Sequence, residues 1–185
     1  MRTVIYSMSV SLDGFIAGPD GDIGFTAPDQ ERMEFHVQQT RDIGTELMGR
    51  GLYEDMLVWE DAETTMSGPL ELEFARIWRP IPKVVFSTTL EKVEGNARLA
   101  SDDIAAEVSR LRDAPGEGVV SVGGARLAST LIKLDLIDEY RLFVIPVVLG
   151  GGTPYFPPLD AAIRLELLET RTFGSRVVYL RYRRV

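Results

Sequence analysis

Residues 119–127 read VVSVGGARL, an apolar, β-branched run that stops on Gly123 and Gly124 where helical spacing begins. Such a run fits a strand buried on both faces, and a strand that becomes a helix within two residues leaves few architectures open. The paired glycines admit two readings. Gly tolerates positive φ and lets two backbones pass closely. Bare N–H groups at a helix N-terminus also make a site for an anion, typically a phosphate.

Short apolar runs and helical spacing alternate along the rest of the chain, the pattern of an α/β fold whose sheet is mixed but mainly parallel. A length of 185 residues is expected to form a single domain, 1–185. Strands are predicted near 3–11, 45–48, 82–87, 118–122, 138–145, 164–170 and 176–184. Residues 102–113 place Ile104, Val108 and Leu111 on one helical face, with Ser101 as the expected N-cap. Residues 125–134 repeat that spacing with Leu127, Leu131 and Leu134. In 29–41, Met33 and Val37 compete with the Phe35/His36 side for the buried face. The last two strands are joined by ETRTFGSRVV, whose Gly-Ser signal predicts an antiparallel hairpin. Between Trp59 and Trp78 the sequence reads as loop plus a short helix.

Acidic residues outnumber basic ones, 28 to 20, for a net charge of −8, which opposes a nucleic-acid surface. The C-terminal RYRR alternates as a solvated strand face would. No apolar run approaches the roughly 20 residues that span a bilayer, and MRTVIYSMSV leads straight into strand alternation, so a soluble, cytoplasmic protein is expected. Without cysteine there is no disulfide, thiolate or Cys-based zinc chemistry. The one histidine, His36, supports no His pair for a metal and reads as a surface or half-buried helix position.

Three further segments join the opening one. SLDGFIAGPDGDIG, residues 11–24, follows the first strand but lacks the D-x-D-x-D-G spacing of a calcium loop. MGRGLYEDM, residues 48–56, sets Gly49 and Arg50 at a strand-to-helix turn. VVFSTTL, residues 84–90, ends a strand in hydroxyl residues that either cap a turn or hold a phosphate oxygen. Open α/β sheets bind ligands at strand C-terminal ends, so these segments together suit a long, phosphate-bearing ligand such as a dinucleotide. Neither G-x-G-x-x-G with its distant acid nor a P-loop is present.

The order SLDGFIA, MGRGLYE, KVVFSTTL and SVGGARLASTLIKLDLIDEYRLFVIPVVLGGGTPYF resembles the dihydrofolate reductase-like superfamily over nearly the whole chain. It is most similar to the branch holding the reductase domain of the bifunctional riboflavin-biosynthesis deaminase/reductase. The resemblance implies a three-layer fold, a mainly parallel sheet flanked by helices with a C-terminal antiparallel hairpin. It implies NADPH as cofactor, with NADH not excluded, and hydride transfer to a small pterin/folate-like or pyrimidine-like heterocycle. Gly49 and Arg50 would face the cofactor phosphates, Ser87 and Thr88 the adenosine 2′-phosphate. Val122, Gly123, Gly124 and Ala125 would approach the pyrophosphate and nicotinamide, with Arg126 and Leu127 beside them.

Three positions depart from that branch. Gly51-Leu52 follows Gly49-Arg50 where Arg-Thr or Lys-Thr is common, so one phosphate-binding hydroxyl is lost. Ser87-Thr88-Thr89 stands where Ser-Arg-Thr is common, leaving Arg50, Arg98 and Arg126 as cations for a 2′-phosphate. Val122 stands where the riboflavin reductases have Glu. Asp13, then Glu31, are the carboxylates expected nearest the acceptor, although Asp13-Gly14 also reads as a plain turn. Tyr53, Trp59 and Phe156 are candidates to line a planar substrate, or else core packing. Gly150-Gly151-Gly152 is a candidate ligand approach or a flexible loop, and RLFVIPVVL a candidate homodimer surface. The alternative function is binding of a nucleotide or pterin without turnover. A serine hydrolase built on His36 lacks a G-x-S-x-G elbow.

Overall fold

A computed structural model describes residues 1–185. In chain order the elements are β1 (Val4–Ser11), β2 (Phe15–Ala17), α1 (Gln30–Thr40), β3 (Ile43–Gly49), α2 (Arg50–Met56), α3 (Ala62–Thr65), α4 (Pro69–Trp78), β4 (Lys83–Phe86) and β5 (Ala97–Leu99). They continue with α5 (Ile104–Asp113), β6 (Val119–Gly123), α6 (Ala125–Lys133), β7 (Glu139–Ile145), β8 (Thr153–Pro154), β9 (Leu165–Thr172) and β10 (Val178–Arg184). Eight strands form one sheet in the order β5-β4-β3-β6-β1-β7-β10-β9, and β2 and β8 form a separate ribbon. From β5 to β7 every pairing is parallel; β10 runs antiparallel to both β7 and β9.

The alternation of β1 explains the layers. Val4, Tyr6 and Val10 enter a core shared with Leu47, Val84, Val120 and Val122, which Val108 of α5 and Leu127, Leu131 and Ile132 of α6 cover. On the other face, Met48, Tyr53, Trp78, Ile81 and Val85 form a second cluster. Phe143, Ile145, Phe173, Val177 and Tyr179 form a third, against which Phe35 of α1 packs. Helices α1 and α4 touch each other on that side.

The competition for the buried face of α1 is resolved by tertiary contacts. Val37 is buried, while Phe35 and His36 both lie against Phe143, with ring centroids at 6.0 and 4.5 Å. Arg32 is buried too, held by Asp29, which also caps the helix by accepting from the Arg32 N–H. Two expectations are corrected. The N-cap of α5 is Asp103, whose carboxylate accepts from the Ala106 N–H at 2.9 Å, not Ser101. Leu134 lies at the C-cap of α6 and is exposed, because the helix ends one residue before it. Residues 141–145 of RLFVIPVVL lie in β7, which is paired on both sides. Strands β2, β5 and β8, only two or three residues each, escaped the sequence reading. No helix is long and apolar enough to cross a membrane.

Candidate functional site

The parallel strands β3, β4 and β6 end side by side, and their C-terminal ends open into a cleft of about 900 Å³. Gly49, Arg50, Ser87, Thr88, Gly124, Ala125, Arg126 and Leu127 all line it. Eight residues chosen from three separate segments thus meet at one surface. Leu52, of the Gly51-Leu52 departure, lines it as well, and Asp102, Thr130 and Thr153 join them without having been predicted there. Thr130 was legible in principle, because it lies one helical turn beyond Arg126 and its hydroxyl donates to the Arg126 carbonyl at 3.2 Å. Asp102 comes from a loop and Thr153 from the two-residue β8, and no local pattern encodes the approach of either.

The two glycines of the opening motif have different tasks. Gly124 has φ of +93°, is the N-cap of α6 and offers no side-chain cap. The first intrahelical bond from this end is Ala128 N–H to Gly124 O, so the N–H groups of Ala125, Arg126 and Leu127 stay bare at the cleft. Gly123 is a packing position instead, since a Cβ there would collide with Leu52 Cδ2. Val122 and Gly123 are buried beneath the cleft and do not line it. The close approach that Gly123 permits is that of Leu52 on α2. At Gly49 and Gly51 an added Cβ would meet nothing within 4 Å, so the floor there is open backbone.

Arg50 ties two strand ends together. Its Nε donates to Glu54 Oε1 at 2.7 Å and its Nη1 to Thr89 Oγ1 at 2.8 Å. Ser87 Oγ accepts the N–H groups of Thr89 and Leu90 at 3.1 and 3.0 Å, which makes it a turn cap whose outer side faces the cleft. Arg98 is committed elsewhere: it donates to both oxygens of buried Glu107, at 2.9 and 2.7 Å. Those bonds, chiefly, hold the Glu107 carboxyl down at about 2. The cations left at the cleft are Arg50 and Arg126.

The other candidates lie apart. Asp13 accepts from the Ser11 hydroxyl at 2.7 Å and from the Leu149 and Gly150 N–H groups at 3.1 and 2.7 Å. The Ser11 bond is the main reason its carboxyl is held below the usual range. It is a clamp between the β1 end and the triple-glycine loop. Glu31 faces outward, accepting from the Gly174 N–H and Arg171 Nη2, each at 2.9 Å. Neither carboxylate lines the cleft. Tyr53 is buried in the second cluster and its hydroxyl accepts the Glu94 N–H at 2.6 Å. Phe156 packs on Tyr140 and Tyr155. Trp59 lines a separate groove of about 700 Å³ between the starts of α1 and α4, with Met33 and Leu70. In the triple glycine, Gly152 passes against the Ala17 carbonyl, so its missing side chain admits β2 and not a ligand. A groove of about 990 Å³ beyond the C-terminal end of α6 contains none of the candidates.

An eight-stranded, mainly parallel sheet with helices on both faces, an antiparallel C-terminal hairpin and a glycine-lined cleft at the strand ends defines a dihydrofolate reductase-like domain of the RibD C-terminal type. Residues 2–179 match the model of the RibD C-terminal domain, and the chain belongs to that family. Among its relatives is the uncharacterized protein YyaP of Bacillus subtilis (strain 168), 36% identical over 190 residues that cover 98% of this chain and 94% of the relative. A putative riboflavin biosynthesis protein from Shewanella sp. PV-4 shares the fold with a TM-score of 0.77 at 23% identity, covering 100% of this chain and 99% of that one. The diaminohydroxyphosphoribosylaminopyrimidine deaminase/5-amino-6-(5-phosphoribosylamino)uracil reductase of Thermotoga maritima does so with a TM-score of 0.64 at 19% identity, covering 100% of this chain and 57% of that longer one.

Proposed function

We propose that this protein is an NADPH-dependent reductase that passes hydride to a small pterin/folate-like or pyrimidine-like heterocycle. The observation that carries this reading is the uncapped start of α6 at Gly124, whose bare N–H groups face the same cleft as Arg50 and Arg126. Such N–H groups, with the positive end of the helix dipole, suit a pyrophosphate. The open backbone at Gly49 and Gly51 leaves room for it. When bound, the nicotinamide supplies the hydride; the protein binds, orients and keeps out water. Arg50 and Arg126 would meet the cofactor's phosphates, and Ser87 and Thr88 its adenosine end. With Arg98 held by Glu107, selection of NADPH over NADH rests on those two arginines.

The Thermotoga neighbour's name describes a pyrimidine reductase, whereas Val122 stands where that branch has Glu. The substrate class therefore stays with both heterocycles. The engagement of Asp13 and Glu31 outside the cleft favours the second reading, a nucleotide or pterin carrier without turnover. Titration with NADPH and NADH, followed by nicotinamide fluorescence, tests the cofactor. Loss of absorbance at the nicotinamide band with dihydrofolate and aminopyrimidines then tests the reaction. Saturable NADPH binding weakened by Arg126→Ala supports the reductase or carrier reading, and substrate-dependent oxidation separates them. No binding of either nucleotide overturns both.

A further inference from the structure

On the sheet face away from α5 and α6, helices α1 and α4 enclose a cavity of about 150 Å³ whose wall offers more hydrogen-bonding groups than the chain itself satisfies. Arg141 of β7 is 7% exposed; its Nε donates to Glu139 Oε1 at 2.6 Å, while Nη1 and Nη2 have no protein acceptor. Nη1 and Nη2 are not among the side-chain atoms sealed in without a partner, so that edge of Arg141 keeps some access, and Arg141 lines both the cavity and a neighbouring surface groove. Ser121 of β6, also 7% exposed, and Ser7 of β1 bring unpartnered hydroxyls to the same wall.

Charge and shape narrow the ligand. Glu139 is shared by two guanidiniums, since Arg181 Nε and Nη2 also donate to it at 2.8 and 2.9 Å. Arg181 is also paired with Glu169 at 3.7 Å, so what Arg141 adds is a guanidinium edge, Nη1 and Nη2, for which the chain supplies no acceptor. Ile5 stands beside Ser121 on the sheet, Ile43 of β3 and Phe74 and Trp78 of α4 add apolar and aromatic surface, and His36, Gln39 and Thr40 of α1 complete the lining. Glu46 is the acid in the lining, and one cation facing it does not suit a dianion. A planar guanidinium edge pairs best with a carboxylate. A cavity near 150 Å³ has room for a ligand of about benzene size. Access exists, because a surface groove of about 610 Å³ shares Gln39, Ile43 and Arg141 with the cavity.

We propose that this cavity is a binding site for a small aromatic monocarboxylate, its carboxylate on the free edge of Arg141 and the Ser121 hydroxyl and its ring against Trp78. The site is separate from the cleft at the strand ends and stands whatever that cleft binds.

The chain has two tryptophans, so Trp59→Phe leaves Trp78 as the reporter. The full-length Trp59→Phe protein is titrated with benzoate, benzamide and inorganic phosphate while Trp78 emission is followed. Benzoate is expected to give a saturable change, with benzamide at least about tenfold weaker and phosphate without effect. Arg141→Met and Ser121→Val should each weaken benzoate by at least about tenfold, equivalent to about 1.4 kcal/mol. Should Arg141→Met fail to fold, Arg141→Lys, which keeps a cation beside Glu139 but loses the planar edge, should weaken it likewise. No saturable change, equal binding of benzamide or phosphate, or unchanged affinity in the folded variants would overturn the proposal and leave the cavity to water.

Discussion

Trp78 Nε1–H donates to Glu46 Oε2 at 2.7 Å, joining α4 to the middle of β3. Burial raises the Glu46 carboxyl to about 7, while that bond and Lys83 pull the other way. Lys83 lies 3.7 Å from the centroid of the Trp78 ring and donates to the Trp78 and Arg79 carbonyls at 2.9 and 3.0 Å.

The sign of the resulting pH dependence follows from proton counting. Between the ordinary carboxylate value and about 7, the folded chain holds a proton on Glu46 that the unfolded chain has lost. Stability therefore falls as pH rises through that window and levels off above it. Glu46→Gln keeps an acceptor for Trp78 and removes the titration. Denaturant unfolding should find it gaining on the parent by roughly 1–3 kcal/mol between pH 5 and pH 8. A constant difference across that range would contradict the account.

His36 acts in the opposite direction. Desolvation, then repulsion from Arg32, depresses its imidazole to about 4. The unfolded chain takes up a proton as pH falls below about 6.5, the folded chain only near 4, so stability is lost over that interval. His36→Gln should flatten this acid limb by up to about 3 kcal/mol. Thermal midpoints from pH 4 to 7 measure it.

Gly123→Ala should act on the cleft indirectly, by driving Leu52 toward it. The expected result is weaker nucleotide binding by at least about tenfold, restored by the added change Leu52→Ala, which makes room for the new Cβ. A Gly123→Ala defect that Leu52→Ala does not relieve would mean that the backbone, and not Leu52, gives way.

Asp13→Asn should loosen the Gly150–Gly152 loop, because the amide cannot match the carboxylate's bonds to two N–H groups and a hydroxyl. Limited proteolysis is expected to nick that loop faster than in the parent. The pH profile of any NADPH oxidation should keep its shape. A shifted profile would return Asp13 to the reacting groups.

Much of the architecture was legible because it rests on local rules. The seven predicted strands all formed within a few residues of their limits, because apolar runs and alternation bounded by Gly and polar residues mark a strand whether it is mostly buried, as β3 and β6 are, or largely exposed, as β9 is. The hairpin at Gly174-Ser175 formed where its turn signal stood, and the RYRR alternation became β10, with Arg181 bonded to Glu139 and Arg183 to Glu166. Short strands such as β8 were missed because two residues carry no period.

The cleft divides along the same line. Gly49, Arg50, Ser87, Thr88 and Gly124 through Leu127 stand at strand ends, and a parallel sheet must gather those ends at one edge, so sequence alone determined their company. It could not determine which glycine faces a ligand and which faces Leu52, nor that Asp13 and Glu31 turn to loops far along the chain, nor that Glu107 holds Arg98. The cavity around Arg141 left no mark in any segment, because its groups come from six strands and helices that share no local pattern. Periodicity fixes which face a side chain takes, whereas packing between distant elements decides what it meets there, and that second step belongs to the tertiary structure.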